Sequence, residues 1–218
     1  MSHRQSAVGN PQSAILLLGP TGAGKTPLGE YLAKHGLNGR TCVHFDFGER
    51  MRRAAAQGKA SGLPAWAVTI IRVSLSTCRL LRPDEFPVAL RILKLFLRKE
   101  GRSKLVILNG LPRRKSQAAG LAKILHIDAV VVLNCVERTV HERIRLNSGG
   151  DRSGRNDDVP GKVRKKLEIF RKMTIPLIDY FGMRGASIVR IRAATGAGSA
   201  EMARLLSKRI QGATWLSK

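Results

Sequence analysis

Gly19-Pro20-Thr21-Gly22-Ala23-Gly24-Lys25-Thr26 follows an apolar run at residues 14–18 and precedes a helical pattern at residues 28–34. The spacing G-x-x-x-x-G-K-[ST] between a strand and a helix predicts a phosphate-binding loop. Its backbone N–H groups turn towards a polyphosphate, and the N-terminus of the following helix adds positive potential. We expect Lys25 to reach the β- and γ-phosphates and the Thr26 hydroxyl to hold Mg²⁺. The backbone cradle is predicted at Gly19, Gly22, Ala23 and Gly24.

The composition is unusual in its charge. The chain of 218 residues has the length of a single α/β domain. Lys and Arg number 39 against 15 Asp and Glu, which gives a formal net charge of +24 spread along the chain. Two interpretations remain open: a basic solvated surface, and a face that contacts nucleic-acid phosphates.

The sequence argues against a disulfide-stabilised, zinc-binding or membrane-spanning protein. Cys42, Cys78 and Cys135 are widely spaced and form no C-x-x-C pair. No apolar run approaches the roughly 20 residues needed to cross a bilayer. Residues 1–13 are polar and lack the apolar core of a signal peptide, so we expect a flexible N-terminal segment and a cytoplasmic protein.

Strand-length apolar runs alternate with helical patterns along the chain. Because of this alternation, we predict a three-layer α/β fold, with a central parallel five-stranded sheet and helices on both faces. One domain at residues 14–218 should carry a helical insertion at about 46–97 and a short glycine-rich lid at about 147–157. Asp158 is predicted to cap a helix that begins near Pro160, and Pro176 to interrupt that helix. The predicted strands are residues 14–18, 42–47, 105–108, 129–133 and 187–191.

Four motifs after the phosphate loop resemble those of the adenylate kinase branch of the nucleoside monophosphate kinases, in the same order. His44-Phe-Asp-Phe-Gly-Glu-Arg-Met-Arg52 resembles the family pattern H-x-S-T-G-D-x-L-R, and Asn109-Gly-Leu-Pro-Arg113 with Gln117 resembles D-G-F-P-R…Q. Glu142-Arg143, followed by Arg155-Asn-Asp-Asp158, resembles the short-lid form of E-R…R-x-D-D, and residues 176–180 match P-L-I-x-Y. The resemblance implies a monomer that transfers a phosphoryl group reversibly from Mg²⁺-bound ATP to a nucleoside monophosphate, AMP foremost.

The resemblance also implies roles for individual residues. Arg52 and Arg113 would bind the acceptor phosphate, while Arg152 and Arg155 would bring positive charge from the lid to the transferred group. The phosphate of the acceptor is already an anionic nucleophile, so catalysis rests on alignment and on cations around it, and needs no general base. Arginine suits this task because its planar fork binds phosphate through two hydrogen bonds. Arg143 would stack on the adenine of ATP, and the acceptor nucleoside would lie against Phe47, Gly110 and Gln117.

Several positions depart from the family pattern. Asn109 stands where the family has an aspartate that orients Mg²⁺-bound water, and we hypothesise that Asp46 supplies the missing carboxylate, both acting through water. Phe47 replaces a small hydroxyl residue and should reshape the pocket for the acceptor base. Asn147 stands where a lid arginine is usual, and Lys166 keeps the charge of another arginine but not its fork.

Two other functions remain as alternatives. One is a P-loop kinase of the shikimate or gluconate type, in which Asp46 would meet a hydroxyl acceptor. The other is a nucleotide-binding protein of low kinase activity that acts on nucleic acid through its basic surface. That protein would bind RNA or DNA with a steep salt dependence and would form no ADP from ATP and AMP.

Overall fold

The central sheet has five parallel strands in the order β2-β3-β1-β4-β5. The structure is a computed structural model and describes residues 11–100, 103–153 and 158–217. The predicted sheet and its flanking helices are confirmed, and β1 and β4 begin earlier than their apolar runs. The strands are β1 Gln12–Leu18, β2 Cys42–Asp46, β3 Leu105–Asn109, β4 Leu125–Asn134 and β5 Ser187–Arg192.

The helices pack on both faces of the sheet because successive strand residues point to opposite sides. Leu16 and Leu108 face one layer, which α2 to α5 and α8 form, whereas Ile15 and Ile107 face α1 and α9. Burial on both faces explains the near-continuous apolar runs of the inner strands. The helices are α1 Lys25–His35, α2 Phe47–Gln57, α3 Ala65–Thr77, α4 Phe86–Glu100, α5 Lys115–Leu121, α6 Glu137–Arg145, α7 Pro160–Ile169, α8 Leu177–Gly182 and α9 Ser199–Arg209.

The strand β5 forms one edge of the sheet, and its residues alternate between buried and exposed, unlike those of the inner strands. Val189 and Ile191 point into the core that α9 covers. Arg190 and Arg192 alternate with them and remain exposed. This strand therefore reads as alternating polar and apolar residues instead of a continuous apolar run.

The segment between β2 and β3 contains α2, α3 and α4, in the region predicted as a helical insertion. The last of these helices packs on the sheet itself, since the Phe96 ring lies 5.2 Å from the ring of Phe45 on β2. The first helix, α2, begins directly after β2, with the Asp46 carboxylate accepting a hydrogen bond from the backbone N–H of Glu49. Residues at the carboxyl end of β2 are thereby fixed relative to the phosphate loop.

Two prolines bound the helical segment that follows the predicted lid. Pro160 is the first residue of α7, as predicted, but the predicted cap was wrong, because the Asp158 carboxylate binds Arg152 instead. The helix then widens into a π-helical turn, Phe170–Thr174, in which Ile175 N donates to Phe170 O at 2.9 Å. Pro176 has no N–H to continue the ladder, and α8 starts after it. Among the described helices, none is both long and apolar enough to cross a membrane.

Candidate active site

The phosphate loop connects β1 to α1 at the carboxyl edge of the sheet. Gly24 caps α1 in the left-handed conformation with a φ of 93°, which glycine adopts without strain. A Cβ at this position would lie 3.0 Å from both Arg143 Nη2 and Met202 Cε, so the close packing also requires glycine. The first turn of α1 is consequently held with its N–H groups at the mouth of a cavity.

Lys25 lies beneath the loop. Its Nζ donates to the backbone oxygens of Gly19 and Pro20, at 2.7 Å each. Burial, and after it the nearby positive charges of Arg113 and Arg152, lower the pKa of Lys25 to about 7. An ammonium in this position has a strong electrostatic reason to bind an anion.

One cavity of about 150 Å³ brings most of the predicted site residues together. Arg52 projects into it from α2, Arg113 from the segment after β3, and Arg152 from the lid. Burial lowers the pKa of Arg113, and the Asp46 carboxylate opposes that effect. Three guanidinium groups from distant parts of the sequence thus surround the phosphate loop. The predicted residues that line the cavity are Gly19, Gly22, Gly24, Lys25, Thr26, Asp46, Phe47, Arg52, Asn109, Gly110, Arg113 and Arg152.

Three oxygen-bearing side chains meet at the carboxyl ends of β2 and β3. Thr26 Oγ1 donates to Asp46 Oδ2 at 2.6 Å, and Asn109 Nδ2 donates to the same oxygen at 2.8 Å. Burial alone would raise the pKa of Asp46, but the hydrogen bonds from Thr26 and from Glu49 N outweigh it, so the pKa lies below its usual value. A carboxylate, a hydroxyl and an amide oxygen are donors that suit Mg²⁺, which binds few protein ligands besides phosphate and water.

The described part of the lid folds back over the phosphate loop. Arg152 Nη1 donates to Asp158 Oδ1 at 2.8 Å and to Thr21 Oγ1 at 3.4 Å, and its side chain is only 10% exposed. A Cβ on Gly149 would lie 2.8 Å from Cγ of Pro27 in the first turn of α1, so the lid loop packs directly on that helix. Arg155, predicted to act with Arg152, lies outside the described residues.

Comparisons with known proteins find relatives that match most of the chain. A family model described as an AAA domain matches residues 18–164. An adenylate kinase of Synechococcus is 31% identical over 180 residues, which cover 80% of this chain and 87% of the relative. Adenylate kinases of Nitrobacter hamburgensis and Gemmatimonas aurantiaca are 33% and 31% identical, covering 78% and 82% of this chain and 80% and 91% of their own length.

The chain belongs to the adenylate kinase family. Membership confirms the resemblance seen in the motifs and makes the protein a P-loop nucleotide kinase. The cavity at the phosphate loop is therefore the candidate active site of this kinase.

Arg143 does not reach the cavity of the kinase. Its side chain is 2% exposed, with Nε donating to Gly22 O at 3.0 Å and Nη1 donating to Ala197 O at 3.1 Å. Further hydrogen bonds from Nη1 go to the oxygens of Ala194 and Thr195. In this arrangement Arg143 ties the phosphate loop to the loop after β5 and is not free to stack on a base, contrary to the expectation from the motif.

Gln117 and Phe47 also have partners inside the protein. Gln117 is 3% exposed, does not line the cavity, and accepts a hydrogen bond from Arg113 N at 2.8 Å through Oε1. It thereby fixes the backbone that carries Arg113. The Phe47 ring lies 6.3 Å from the Phe45 ring, and Phe47 also borders the cavity. Ala23, a residue of the phosphate loop, is fully buried.

Residues after the lid complete the cavity wall, and sequence reasoning missed two of them. Phe170 lines the cavity together with Lys166, and Thr174 Oγ1 donates to Arg113 O at 3.1 Å. These three residues recur at a spacing of four, which places them on the same side of a helix. That spacing was a usable signal, because Lys166 was already assigned to the site by its motif.

Proposed function

We propose that this kinase transfers the γ-phosphoryl group of Mg²⁺-bound ATP to a nucleoside monophosphate, with AMP as the preferred acceptor. The observation that carries the proposal is the group of cationic residues around one cavity on the phosphate loop: Lys25, Arg52, Arg113, Arg152 and Lys166. Two phosphate groups repel each other, and holding them in line requires cations that approach from several directions. The adenylate kinases among its relatives support AMP as the acceptor.

The transfer needs no general base. An oxygen of the acceptor phosphate forms a bond to the γ-phosphorus while the bond from that phosphorus to the β–γ bridging oxygen breaks, and ADP leaves with the electron pair. Arg52 and Arg113 hold the acceptor phosphate, and Lys25 binds the β- and γ-phosphates. Arg152, with Arg155 as implied by the resemblance, stabilises charge on the group in transit.

Mg²⁺ fits the oxygen donors at the ends of β2 and β3. Thr26, Asp46 and Asn109 would hold it, the last two through water. When bound, the ion neutralises negative charge on the β- and γ-phosphate oxygens. The described residues contain no cluster of three or more His, Cys, Asp or Glu that could hold a metal.

A hydroxyl acceptor is the second candidate. Gln117, which the resemblance assigns to reading the acceptor base, is engaged with Arg113 N instead of facing the cavity. Asp46 does face the cavity, and a carboxylate there would be placed to accept the proton of a substrate hydroxyl.

Initial rates with Mg²⁺-bound ATP and a panel of acceptors test the proposal. The panel contains AMP, CMP, UMP, GMP, shikimate and gluconate. We expect ADP formation that depends on a monophosphate and is fastest with AMP. If ADP formed only with shikimate or gluconate and with none of the monophosphates, the protein would be a kinase of hydroxyl acceptors, the second candidate.

Arg52→Ala should raise the KM for the monophosphate about ten- to a hundredfold, the value of one charged hydrogen-bonded contact. Arg53→Ala is the matched control, because Arg53 lies next to it on α2 and is exposed. Equal effects of the two substitutions would contradict the assigned role of Arg52.

A further inference from the structure

Two asparagines in the site each hydrogen-bond to a charged residue. Asn109 Nδ2 donates to the Asp46 carboxylate at 2.8 Å, and Asn147 Oδ1 accepts from the backbone N–H of Arg152 at 3.0 Å. Both asparagines occupy positions where the motif resemblance places a charged side chain, an aspartate at 109 and an arginine at 147. Asp46, which Asn109 contacts, carries the charge that the pattern has at 109, and Arg152, whose backbone Asn147 contacts, is the lid arginine that the resemblance already implies.

We propose that Asn109 and Asn147 are positioning residues that each hold a charged residue of the site in place. Asp46 supplies the carboxylate that orients the metal-bound water, and Asn109 fixes it. Arg152 supplies the lid guanidinium, and Asn147 fixes the backbone that carries it. This inference rests on the proposed function and deepens it.

The carboxylate has moved by one strand. Asp46 and Asn109 are register partners across the parallel pair β2 and β3, so the charge is displaced by about 4.8 Å, the spacing of neighbouring strands. Both carboxylate oxygens are held, Oδ2 by Thr26 and Asn109 and Oδ1 by Glu49 N. A carboxylate fixed in this way can orient a water molecule without first losing rotational freedom.

The amide at 109 is required by the new position of the charge. An aspartate at 109 would place a second carboxylate within hydrogen-bond distance of Asp46, and an ionised carboxylate can accept hydrogen bonds but has no N–H to donate. Asparagine has nearly the same shape and supplies an N–H donor instead. The exchange therefore needs both substitutions together.

In the lid, Asn147 shapes the loop that presents Arg152. It adopts a left-handed conformation with a φ of 47°, which asparagine tolerates better than most residues. Its backbone oxygen accepts from Gly150 N at 2.8 Å, and its side chain bonds to Arg152 N and to Ser153 Oγ. Arg145, the other arginine that the sequence offers near this position, is exposed and does not line the cavity.

Calorimetric titration with the β,γ-imido analogue of ATP, which cannot transfer its γ-phosphoryl group, tests the role of Asn109 when it is run in Mg²⁺ and in EDTA. Asp46→Asn keeps a residue that caps α2 and should reduce the Mg²⁺-dependent gain in affinity for this analogue about tenfold, as for other residues that orient metal-bound ligands. Asn109→Ala should reduce the gain in the natural background but not in the Asp46→Asn background. The exchange Asp46→Asn with Asn109→Asp should restore most of the gain. Asn134→Asp, which adds a carboxylate at the exposed end of β4, is the control.

Two results would overturn the role proposed for Asn109. One is a loss of Mg²⁺-dependent affinity on Asn109→Ala that is the same in both backgrounds. The other is an exchange variant whose Mg²⁺-dependent affinity is no higher than that of Asp46→Asn. The titration contains no acceptor, so its outcome does not depend on whether AMP is the substrate. An error in the proposed acceptor would appear in the panel of rates and leave these affinities unchanged.

A double-mutant cycle tests the role proposed for Asn147. Asn147→Gly keeps the left-handed backbone but removes the side-chain acceptor, and it should lower kcat about fivefold with the best acceptor, the order of one lost hydrogen bond. In an Arg152→Ala background it should have no further effect on kcat. Asn38→Gly is the control, because Asn38 has the same φ of 47° and lies in a distant turn. If Asn147→Gly lowers kcat equally in both backgrounds, its role is structural and the proposal fails.

Discussion

Lys25 combines a structural and an electrostatic role at one atom. Two of the three ammonium hydrogens are used by the oxygens of Gly19 and Pro20, which leaves one for a phosphate. Because its pKa is about 7, the free protein loses this proton just above neutrality. A bound phosphate favours the charged form, so binding takes up a proton at alkaline pH.

We therefore expect the Kd for ATP, titrated in EDTA without an acceptor so that no phosphoryl group is transferred, to rise about tenfold per pH unit above pH 8, until the pKa of the complex is reached. Titration calorimetry at several pH values, in buffers of different ionisation enthalpy, measures both the affinity and the proton uptake. Lys25→Arg stays charged and should give a flat profile. A flat profile in the natural protein would show that Lys25 is already protonated before the ligand arrives.

Sequence reasoning is strongest for residues whose role is built into the backbone. The phosphate loop was predicted completely because its glycines, Lys25 and Thr26 have fixed places on a strand–loop–helix unit. Arg143 and Gln117 were placed less well, since a motif gives the position of a side chain but not its hydrogen-bond partners. The partners of Arg143 are backbone groups of segments that are distant in sequence, which only the folded chain brings close. Gln117 has a near partner in the backbone N–H of Arg113, four residues before it, which a motif match does not show.

At the level of elements, the π-helical turn Phe170–Thr174 connects the lid helix α7 to the acceptor side of the site. Thr174 is 5% exposed, and its hydroxyl donates to the oxygen of Arg113. Thr174→Val keeps the shape and removes this hydrogen bond. We expect the KM for the acceptor to rise about three- to tenfold, corresponding to one neutral hydrogen bond, with a smaller change in kcat.

Steady-state kinetics with varied acceptor concentration measure that effect. Thr69→Val is a suitable comparison, because the Thr69 hydroxyl also donates to a backbone oxygen but lies on the exposed side of α3. If Thr174→Val left the KM for the acceptor unchanged, the π-helical turn would have no role in acceptor binding.

Element boundaries show where the patterns in the sequence end. The strand β4 begins at Leu125 and β1 at Gln12, because a hydrogen-bonded ladder pairs Gln12 with Leu125 and Ser13 with His126. Gln12, Ser13 and His126 belong to these strands through backbone pairing, and because they are polar they do not extend the apolar runs from which the strands were predicted. The helix α7 was located by its proline, but its cap was wrong since Asp158 has a stronger partner in Arg152.

For the whole molecule, stability depends on the apolar residues that the sheet places between its two helical layers. Leu108, in the strand next to β1, is fully buried, and its replacement by alanine leaves a cavity. We expect Leu108→Ala to lower the free energy of unfolding by about 2–5 kcal/mol. Chemical denaturation measures this, with Leu95→Ala as the comparison, because Leu95 is 39% exposed. Equal losses of unfolding free energy in Leu108→Ala and Leu95→Ala would contradict the central position of Leu108 in the core.

The arginines on β5 have a consequence for how molecules of this protein behave in crowded solution. An outermost strand offers unpaired amide and carbonyl groups to any other extended chain. Here a second copy that docked alongside would bring its own Arg190 and Arg192 against those of the first, and like charges would meet at short range. The kinase thus discourages edge-to-edge association through the same residue type that lines the cavity at its phosphate loop.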